Sequence, residues 1–316
     1  MEGEFSMKDI GGIVPLWKPR GMTSFDAVQQ VRRIYQTKKA GHTGTLDPDV
    51  EGVLLVCLNR ATKLVEYLTG EDKVYEGEVT FGTATDTEDS SGTVTAHGPV
   101  PELTNADADH LLASFTGSLM QTPPMYSAVK INGKKLYEYA REGRVIDRPA
   151  REVFIHELSR QGDVTYHDTS ASFRFRVRCS KGTFIRTLCV QFGHALSTEA
   201  HMSDLIRTRS GSMDANACVG LETLRQHDDP EQLLLPMEQA VDHLHGMTVD
   251  EETRQKILHG GLLRAPEGSG LFSKPYFPVY DQQGHLLALY KWDEKREGMI
   301  KPEKMIRTAD QKEEHQ

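Results

Sequence analysis

The sequence predicts a mixed α/β (α+β) chain: a large domain over residues 11–245 built around a central, mostly antiparallel sheet, then a small β-rich module over 246–310. Three observations predict it. The stretches YEGEVTFG and SFRFRVRCS alternate in polarity with period two, the signature of half-buried strands, and helical patterns lie between them. VLLVCL, residues 53–58, is a continuous apolar run of the kind found in a strand buried on both faces. A chain of 316 residues, 38% of them hydrophobic, is long enough for one large core and one small one.

In chain order, Ile13 to Trp17 reads as a short buried strand, and K-P-R-G turns the chain into a helix capped by Ser24, with Val28, Val31 and Ile34 on one face. The glycine-rich stretch GHTGTLDPDVEG, residues 41–52, feeds into the 53–58 strand, which a helix from about Ala61 to Leu68 follows. In SFRFRVRCS, the residues Phe173, Phe175 and Val177 point inward and Arg174, Arg176 and Arg178 outward, so an arginine-lined sheet face is expected. PELTNADADHLLASF starts at a cap, Thr104 or Asn105, and continues as an amphipathic helix. QTPPMYSAVKINGKKLYEYAREGRVIDRP mixes Pro, Gly, aromatic and basic residues, as expected of an ordered but mobile binding insert over about 124–151. Residues 225–245 read as helix and linker. The last module is read from a short helix, the Gly-rich HGGLLRAPEGSG, and the strand candidates FPVYD, LLALYKW and MIKPEKMI. Residues 1–10 and 311–316 are expected to be flexible tails, and no internal repeat is visible.

Composition narrows the classes of function. The acidic start MEGEFSMKDIGG lacks the basic and apolar parts of a signal peptide, and no stretch approaches the roughly 18 apolar residues of a membrane span, so a soluble cytoplasmic protein is expected. Cys57, Cys179, Cys189 and Cys218 form no C-x-x-C pair, which suggests neither a zinc site nor a disulfide framework. The net charge of −9 argues against a polyanion partner only until it is mapped. Residues 214–255 hold ten acidic side chains against Arg225 and Arg254, whereas residues 17–39 carry six Lys or Arg against Asp26. Residues 128–151 carry seven against three acids, and 174–186 carry five and no acid. Together these three basic segments could form one phosphate-binding face, with Lys130, Lys134, Lys135, Arg141, Arg178 and Lys181 as the phosphate-contacting candidates.

The 41–52 stretch surrounds one carboxylate with glycines. Pro48 pushes Asp47 out of the helical region, and glycine lets a ligand approach the backbone closely, so the loop is shaped to present Asp47. Asp-Pro and Gly-rich dipeptides are also ordinary turn chemistry.

Five stretches, GHTGTLDPDVEGVLLVCLNRATKL, TFGTATDTEDSSG, PPMYSAVKINGKKLYEYAREG, CSKGTFIRTL and HMSDLIRTRSG, occur in the order in which they occur in the TruB family of tRNA pseudouridine synthases, which the chain closely resembles. The resemblance implies the pseudouridine synthase fold and, for the terminal module, a PUA-like RNA-binding domain. It also implies isomerisation of the TΨC-loop uridine at tRNA position 55 by a monomer, with no cofactor and no metal. Asp47 takes the place of the family's catalytic aspartate. Three routes remain open for it: attack on the anomeric carbon, attack on C6 of uracil, or abstraction of a ribose proton. A stacked uridine must be flipped out to be reached. By resemblance, His42 is the wedge that fills the gap, Tyr75 stacks on the flipped base, Leu205 packs against it, and Arg186 pairs with the catalytic carboxylate. Lys18 and Pro19 match an early K-P motif that supports the wall of the site. One position departs from the pattern: many relatives carry tyrosine at Phe184, so the proton on C5 must leave without a hydroxyl there, to water or to Asp47. A noncatalytic tRNA-binding or tRNA-folding protein of the same fold is the alternative.

Overall fold

The computed structural model describes residues 11–265 and 275–309. Both predicted tails, and residues 266–270 of the Gly-rich stretch, lie outside these. The large domain runs β1 (Gly12–Lys18), α1 (Ser24–Ile34), β2 (Ala40–His42), β3 (Glu51–Leu58), α2 (Val65–Thr69), β4 (Lys73–Phe81), β5 (Thr83–Thr85) and β6 (Val94–His97). It continues through α3 (Asn105–Ser114), β7 (Gly117–Gln121), β8 (Lys130–Ile131), β9 (Lys134–Lys135), α4 (Leu136–Arg141), β10 (Arg151–His167), β11 (Ser170–Cys179), α5 (Ile185–Ala195), β12 (Ala200–Ser210), β13 (Met213–Asp214) and α6 (Leu221–Gln226). Its sheet has the order β1-β3-β12-β4-β11-β10-β7, with β2 on β3 and β13 on β12. Neighbours are antiparallel except β12 and β3, which pair in parallel at Ile206 with Glu51 and Arg207 with Gly52. The terminal module comprises β14 (Met247–Thr248), α7 (Glu251–Leu258), β15 (Leu263–Arg264), β16 (Phe277–Tyr280), β17 (Leu286–Trp292) and β18 (Met299–Met305), its strands forming one five-stranded sheet.

β3 explains why the two units meet. Its even residues, Leu54, Val56 and Leu58, join the helix-covered front core with Val28, Val31, Leu188 and Phe192. Its odd residues, Val53, Leu55 and Cys57, join a back cluster with Met237, Val241, Leu286, Leu289 and Ile306. The terminal module therefore covers the back of the sheet at its β1–β3 end, and the apolar run is continuous because both phases are buried.

Several sequence expectations are corrected. The cap of α1 is Thr23, not Ser24: Thr23 and Asp26 form a reciprocal capping box. The Ser24 hydroxyl instead exchanges two hydrogen bonds with the backbone of Leu46, at 2.8 and 3.1 Å, tying the helix to the loop of Asp47. The helix expected from Ala61 begins as a 3₁₀ turn, Asn59–Leu64, before α2. Between 225 and 245 the chain forms two 3₁₀ turns, Pro230–Leu233 and Met237–Ala240, each opened by a proline, because the residue before a proline is pushed out of the helical region and no helix runs through Asp229 or Leu235. The insert is better ordered than a loop, with the β8–β9 hairpin followed by α4. Among the described residues no helix is long and apolar enough to cross a membrane.

Candidate active site

The loop between β2 and β3 is fastened at several points. Lys18, fully buried, donates to the carbonyls of Pro19 at 2.8 Å, Met22 at 2.7 Å and Pro48 at 3.2 Å, and the N–H of Gly21 donates to the same Pro48 oxygen at 2.9 Å. Burial lowers the Lys18 pKa to about 8, a fall that the charge of Asp47 resists. Arg207 spans the loop's two ends, donating from Nε to Val53 O at 2.7 Å and from Nη2 to Gly44 O at 3.0 Å. Gly52 is required where β3 meets β12. Its φ is +124° and a Cβ there would stand 2.2 Å from the Arg207 carbonyl oxygen.

Arg186 reaches this loop from the first turn of α5. Its Nε lies 3.0 Å from Asp47 Oδ2 and its Nη2 3.3 Å from Oδ1, a side-on, two-pronged pairing. The same guanidinium donates to Thr87 O and Tyr126 O, both at 2.8 Å, and stands 3.7 Å from Asp89. Its side chain is 6% exposed, while that of Asp47 is 37% exposed and opens onto a cleft of about 500 Å³. Burial pushes the Asp47 carboxyl above the usual carboxylate range; Arg186 opposes the rise and Asp89 adds to it.

Half of the predicted site residues converge here. His42, Tyr75, Lys181, Phe184, Arg186 and Leu205 line the cleft with Asp47. Sheet register accounts for part of this: Tyr75 pairs with Arg207 and with Val177, and Leu205 with Gly77, so these side chains share the front face. His42 accepts from the N–H of Gly44 through Nδ1, and burial followed by the charge of Arg207 lowers its pKa, favouring the neutral ring. Lys18 and Pro19 stand behind the loop rather than in the cleft lining.

The basic candidates divide. Lys130, Lys134, Lys135 and Arg141 belong to the insert; Lys134 pairs with Glu142 and lies over the Tyr139 ring, while Lys135 and Arg141 flank Tyr137. Arg178 points to the opposite face of the sheet, where it meets Asp72 at 3.2 Å and Glu157 at 3.0 Å. The expected arginine-lined face is thus an ion-pair ladder. Arg174 pairs with Glu78 and Asp204, and Arg176 with Glu157, because β4, β10 and β12 present carboxylates beside each guanidinium.

Sequence reasoning missed four contributors. Arg207 had a readable signal: in DLIRTRS it shares the inward phase of Leu205, a place where a charged residue must find partners. Lys73, also in the cleft lining, donates to the carbonyls of Leu68, Thr69 and Glu71 behind it. Asp89 and the Tyr126 carbonyl complete the surroundings of Arg186, and only the folded chain brings them together.

Known proteins are similar to this chain in sequence and in architecture. The family description TruB family pseudouridylate synthase (N terminal domain) matches residues 32–185, and tRNA pseudouridylate synthase B C-terminal domain matches residues 186–242. A Halalkalibacterium halodurans protein named tRNA pseudouridine synthase B is 49% identical over 302 residues, covering 94% of this chain and 98% of that one. The chain belongs to the TruB family. A Bacillus subtilis member of that name is 44% identical, again over 94% of this chain and 98% of its own. Among solved structures, a chain of a Cbf5-Nop10-Gar1 complex superposes with a TM-score of 0.69 at 27% identity, covering 96% of this TruB chain and 86% of its own. A chain of an H/ACA RNP bound to a substrate RNA containing 2′-deoxyuridine gives 0.69 at 25% identity, covering 96% and 87%. As a TruB family member the chain is a pseudouridine synthase, an isomerase, and the break between the two family regions falls between Ile185 and Arg186, at the start of α5.

Proposed function

We propose that the chain isomerises the uridine at position 55 in the TΨC loop of tRNA to pseudouridine, with Asp47 as the group that starts the reaction. The observation that carries this is the carboxylate itself: carried on a loop whose Pro48 carbonyl Lys18 holds from behind, paired side-on with a buried arginine, and open to a cleft with Tyr75, Phe184 and Leu205 around it. The names of the relatives support tRNA as the substrate.

In this reading the uridine is flipped into the cleft and His42, neutral and half-buried, fills the space it leaves. Asp47 then starts cleavage of the N1–C1′ bond, by displacing uracil through N1 at C1′, by taking a ribose proton so that uracil is eliminated through N1, or by adding to C6 before the bond to C1′ breaks in a separate step. The freed uracil turns while enclosed by Tyr75, Phe184 and Leu205. C5 joins C1′, and the C5 proton leaves to water or to Asp47, since Phe184 has no hydroxyl to receive it. Arg186 keeps the carboxylate oriented and offsets the cost of its charge at the cleft floor. Lys130, Lys134, Lys135, Arg141 and Lys181 meet RNA phosphates, and the terminal module, acting as a PUA-like domain, holds the acceptor side of the same tRNA. The working unit is a monomer.

Asp47→Asn is the decisive variant, because amide and carboxylate are nearly isosteric but only the carboxylate is a nucleophile or base. Tritium release from C5-labelled uridine in tRNA should vanish while tRNA affinity changes little. Residual turnover within about tenfold of the parent would remove Asp47 from the chemistry.

A further inference from the structure

Helix α5 carries Arg186 in its first turn, and the residue that starts it, Phe184, has no polar side chain with which to cap it. The fastening comes instead from β7. Gln121, the last residue of that strand and 0% exposed, sets its side-chain amide against the Phe184 backbone: Oε1 accepts from Phe184 N at 2.9 Å and Nε2 donates to Phe184 O at 3.3 Å. Only one orientation of the amide satisfies both groups, since an N–H must meet its oxygen and a carbonyl its nitrogen. Nε2 also donates to Gln191 Oε1 at 3.2 Å, and the Gln191 amide donates to Met120 O at 2.9 Å. Two neighbouring residues of β7 thereby hold α5 at Phe184 and at Gln191, about two turns further along. Arg186 leaves the helix about 140° round the axis from Gln191 and reaches Asp47, while the Phe184 ring lines the cleft. Gln121 stands behind that lining, not in it.

We propose that Gln121 is a positioning residue for the isomerisation: its amide sets the slide and rotation of α5, and through them the place of the Phe184 ring and of the Arg186 guanidinium against Asp47. The proposal rests on the reading in which Asp47 starts the reaction, and goes beyond it by naming the group that holds two of its partners from outside the cleft. Phe184 O also accepts from Leu188 N at 3.0 Å, the first bond of the helix, so whatever moves Phe184 moves α5 with it. A side-chain amide suits the task because it offers a donor and an acceptor in one rigid plane, matched to the N–H and C=O of a single residue. Leucine would fill a similar space and leave the Phe184 N–H and the Gln191 amide without these partners. A carboxylate of the same shape would keep the bond from Phe184 N but turn an acceptor toward Phe184 O. Misplacing reacting groups by about 1 Å can cost about a hundredfold in rate, so a hold at this distance from the substrate reaches the chemistry.

The test uses the full chain with Gln121→Leu, Gln121→Glu and, as a stability control, Leu111→Ala, which truncates a core residue of α3 outside the cleft lining. Thermal unfolding, tRNA affinity and single-turnover tritium release across a pH series, well below Tm, are measured on all three and on the parent. Gln121→Leu should slow release about ten- to a hundredfold with affinity within about threefold of the parent. Gln121→Glu should stay within about threefold of the parent while its carboxyl is protonated and still donates. It should then fall behind as pH rises and the carboxyl ionises, a fall that burial places above the usual carboxylate range. Leu111→Ala should lower Tm and keep the parent's rate. Gln121 variants that match the parent at every pH would overturn the proposal, as would rate losses that Leu111→Ala reproduces at an equal fall in Tm. Where Gln121→Leu does not fold, the pH course of Gln121→Glu decides alone. Asp47→Asn that still turns uridine over would overturn the reaction reading, whereas an inactive Asp47→Asn beside Gln121 variants as fast as the parent overturns the positioning role alone.

Discussion

The chain uses arginine–carboxylate pairs in two places, and the difference between them separates a working charge from a solvated one. On the back of the sheet, Arg174, Arg176 and Arg178 are 42%, 41% and 35% exposed, and each meets carboxylates from neighbouring strands. Water competes for every one of these groups, and pairs of this kind contribute about 0–1 kcal/mol each. At the cleft floor, Arg186 is 6% exposed and divides its guanidinium between Asp47 and two carbonyl oxygens. Little solvent reaches the guanidinium, although the carboxylate it holds is 37% exposed to the cleft. The same pairing that is a minor surface term on one face therefore becomes a strong constraint on the direction and ionisation of a single carboxylate on the other.

Replacing each arginine in turn is the sharpest way to break the comparison. Arg186→Gln should lower single-turnover tritium release by at least about a hundredfold, since it removes the only cation in direct contact with Asp47 among the described residues. Arg176→Gln should leave release within about twofold of the parent and change unfolding free energy by less than about 1 kcal/mol. Equal losses in the two variants would erase the distinction between the faces.

The acid limb of the pH profile gives a second readout. Burial disfavours the charged form of Asp47, so its folded pKa lies above that of a free aspartate, about 3.9. In the proposed reaction Asp47 acts in its charged form, so activity should be lost as pH falls through the folded pKa. The acid limb of kcat/KM should therefore sit above the usual carboxylate range. In Arg186→Gln it should move higher still, because the one large opposing influence is gone. A limb at the ordinary aspartate value, unmoved by that substitution, would show that Asp47 is not the titrating group.

Phe184 tests the front face from the apolar side. Its ring lies in the cleft lining and its backbone is clasped by the buried Gln121 amide, which accepts from Phe184 N at 2.9 Å and donates to Phe184 O at 3.3 Å. Stacking a base on such a ring is worth about 1–3 kcal/mol. Phe184→Ala should therefore slow single turnover by more than about tenfold, while Phe184→Tyr, which adds only a hydroxyl, should change it by less than about tenfold. An inactive parent rescued by tyrosine would restore a hydroxyl at this position as the base for the C5 proton.

What the sequence disclosed follows the range of the interactions involved. Period-two alternation and the continuous VLLVCL run announced the strands and the double burial of β3, because the side chains that report them are consecutive. Asp47, Arg186, Tyr75 and Leu205 were legible through motif order, and register then placed Tyr75 and Leu205 on one face. The neutralisation of Arg174, Arg176 and Arg178 was not legible, since their partners Glu78, Glu157, Asp72 and Asp204 come from other strands or from the turn before β4. The clamp by Arg207 on Gly44 and Val53 joins positions 163 and 154 residues apart, and no local pattern carries that. The helix expected near 225–245 gives way at Pro230 and Pro236, a local signal that outweighs the charged, helix-favouring residues around it.

The smallest expected effect concerns long-range charge, and it asks whether the insert or the arginine ladder faces RNA. Each phosphate that a variant ceases to neutralise should flatten the dependence of log affinity on log salt by about 0.7 to 0.9. Lys134→Ala with Lys135→Ala removes two cations from the insert, yet Lys134 is already held by Glu142 and both ammonium groups lie over tyrosine rings, at 4.8 and 5.4 Å. Part of their charge is committed within the protein, so the flattening expected is that of one phosphate rather than two. Arg174→Gln with Arg176→Gln removes the same number of positive charges from the back face, where carboxylates already neutralise them, and should leave the slope unchanged. Filter binding of tRNA across a salt series measures both double variants side by side. If the back-face pair flattens the slope and the insert pair does not, RNA lies against the arginine ladder, and the assignment of the two faces must be reversed.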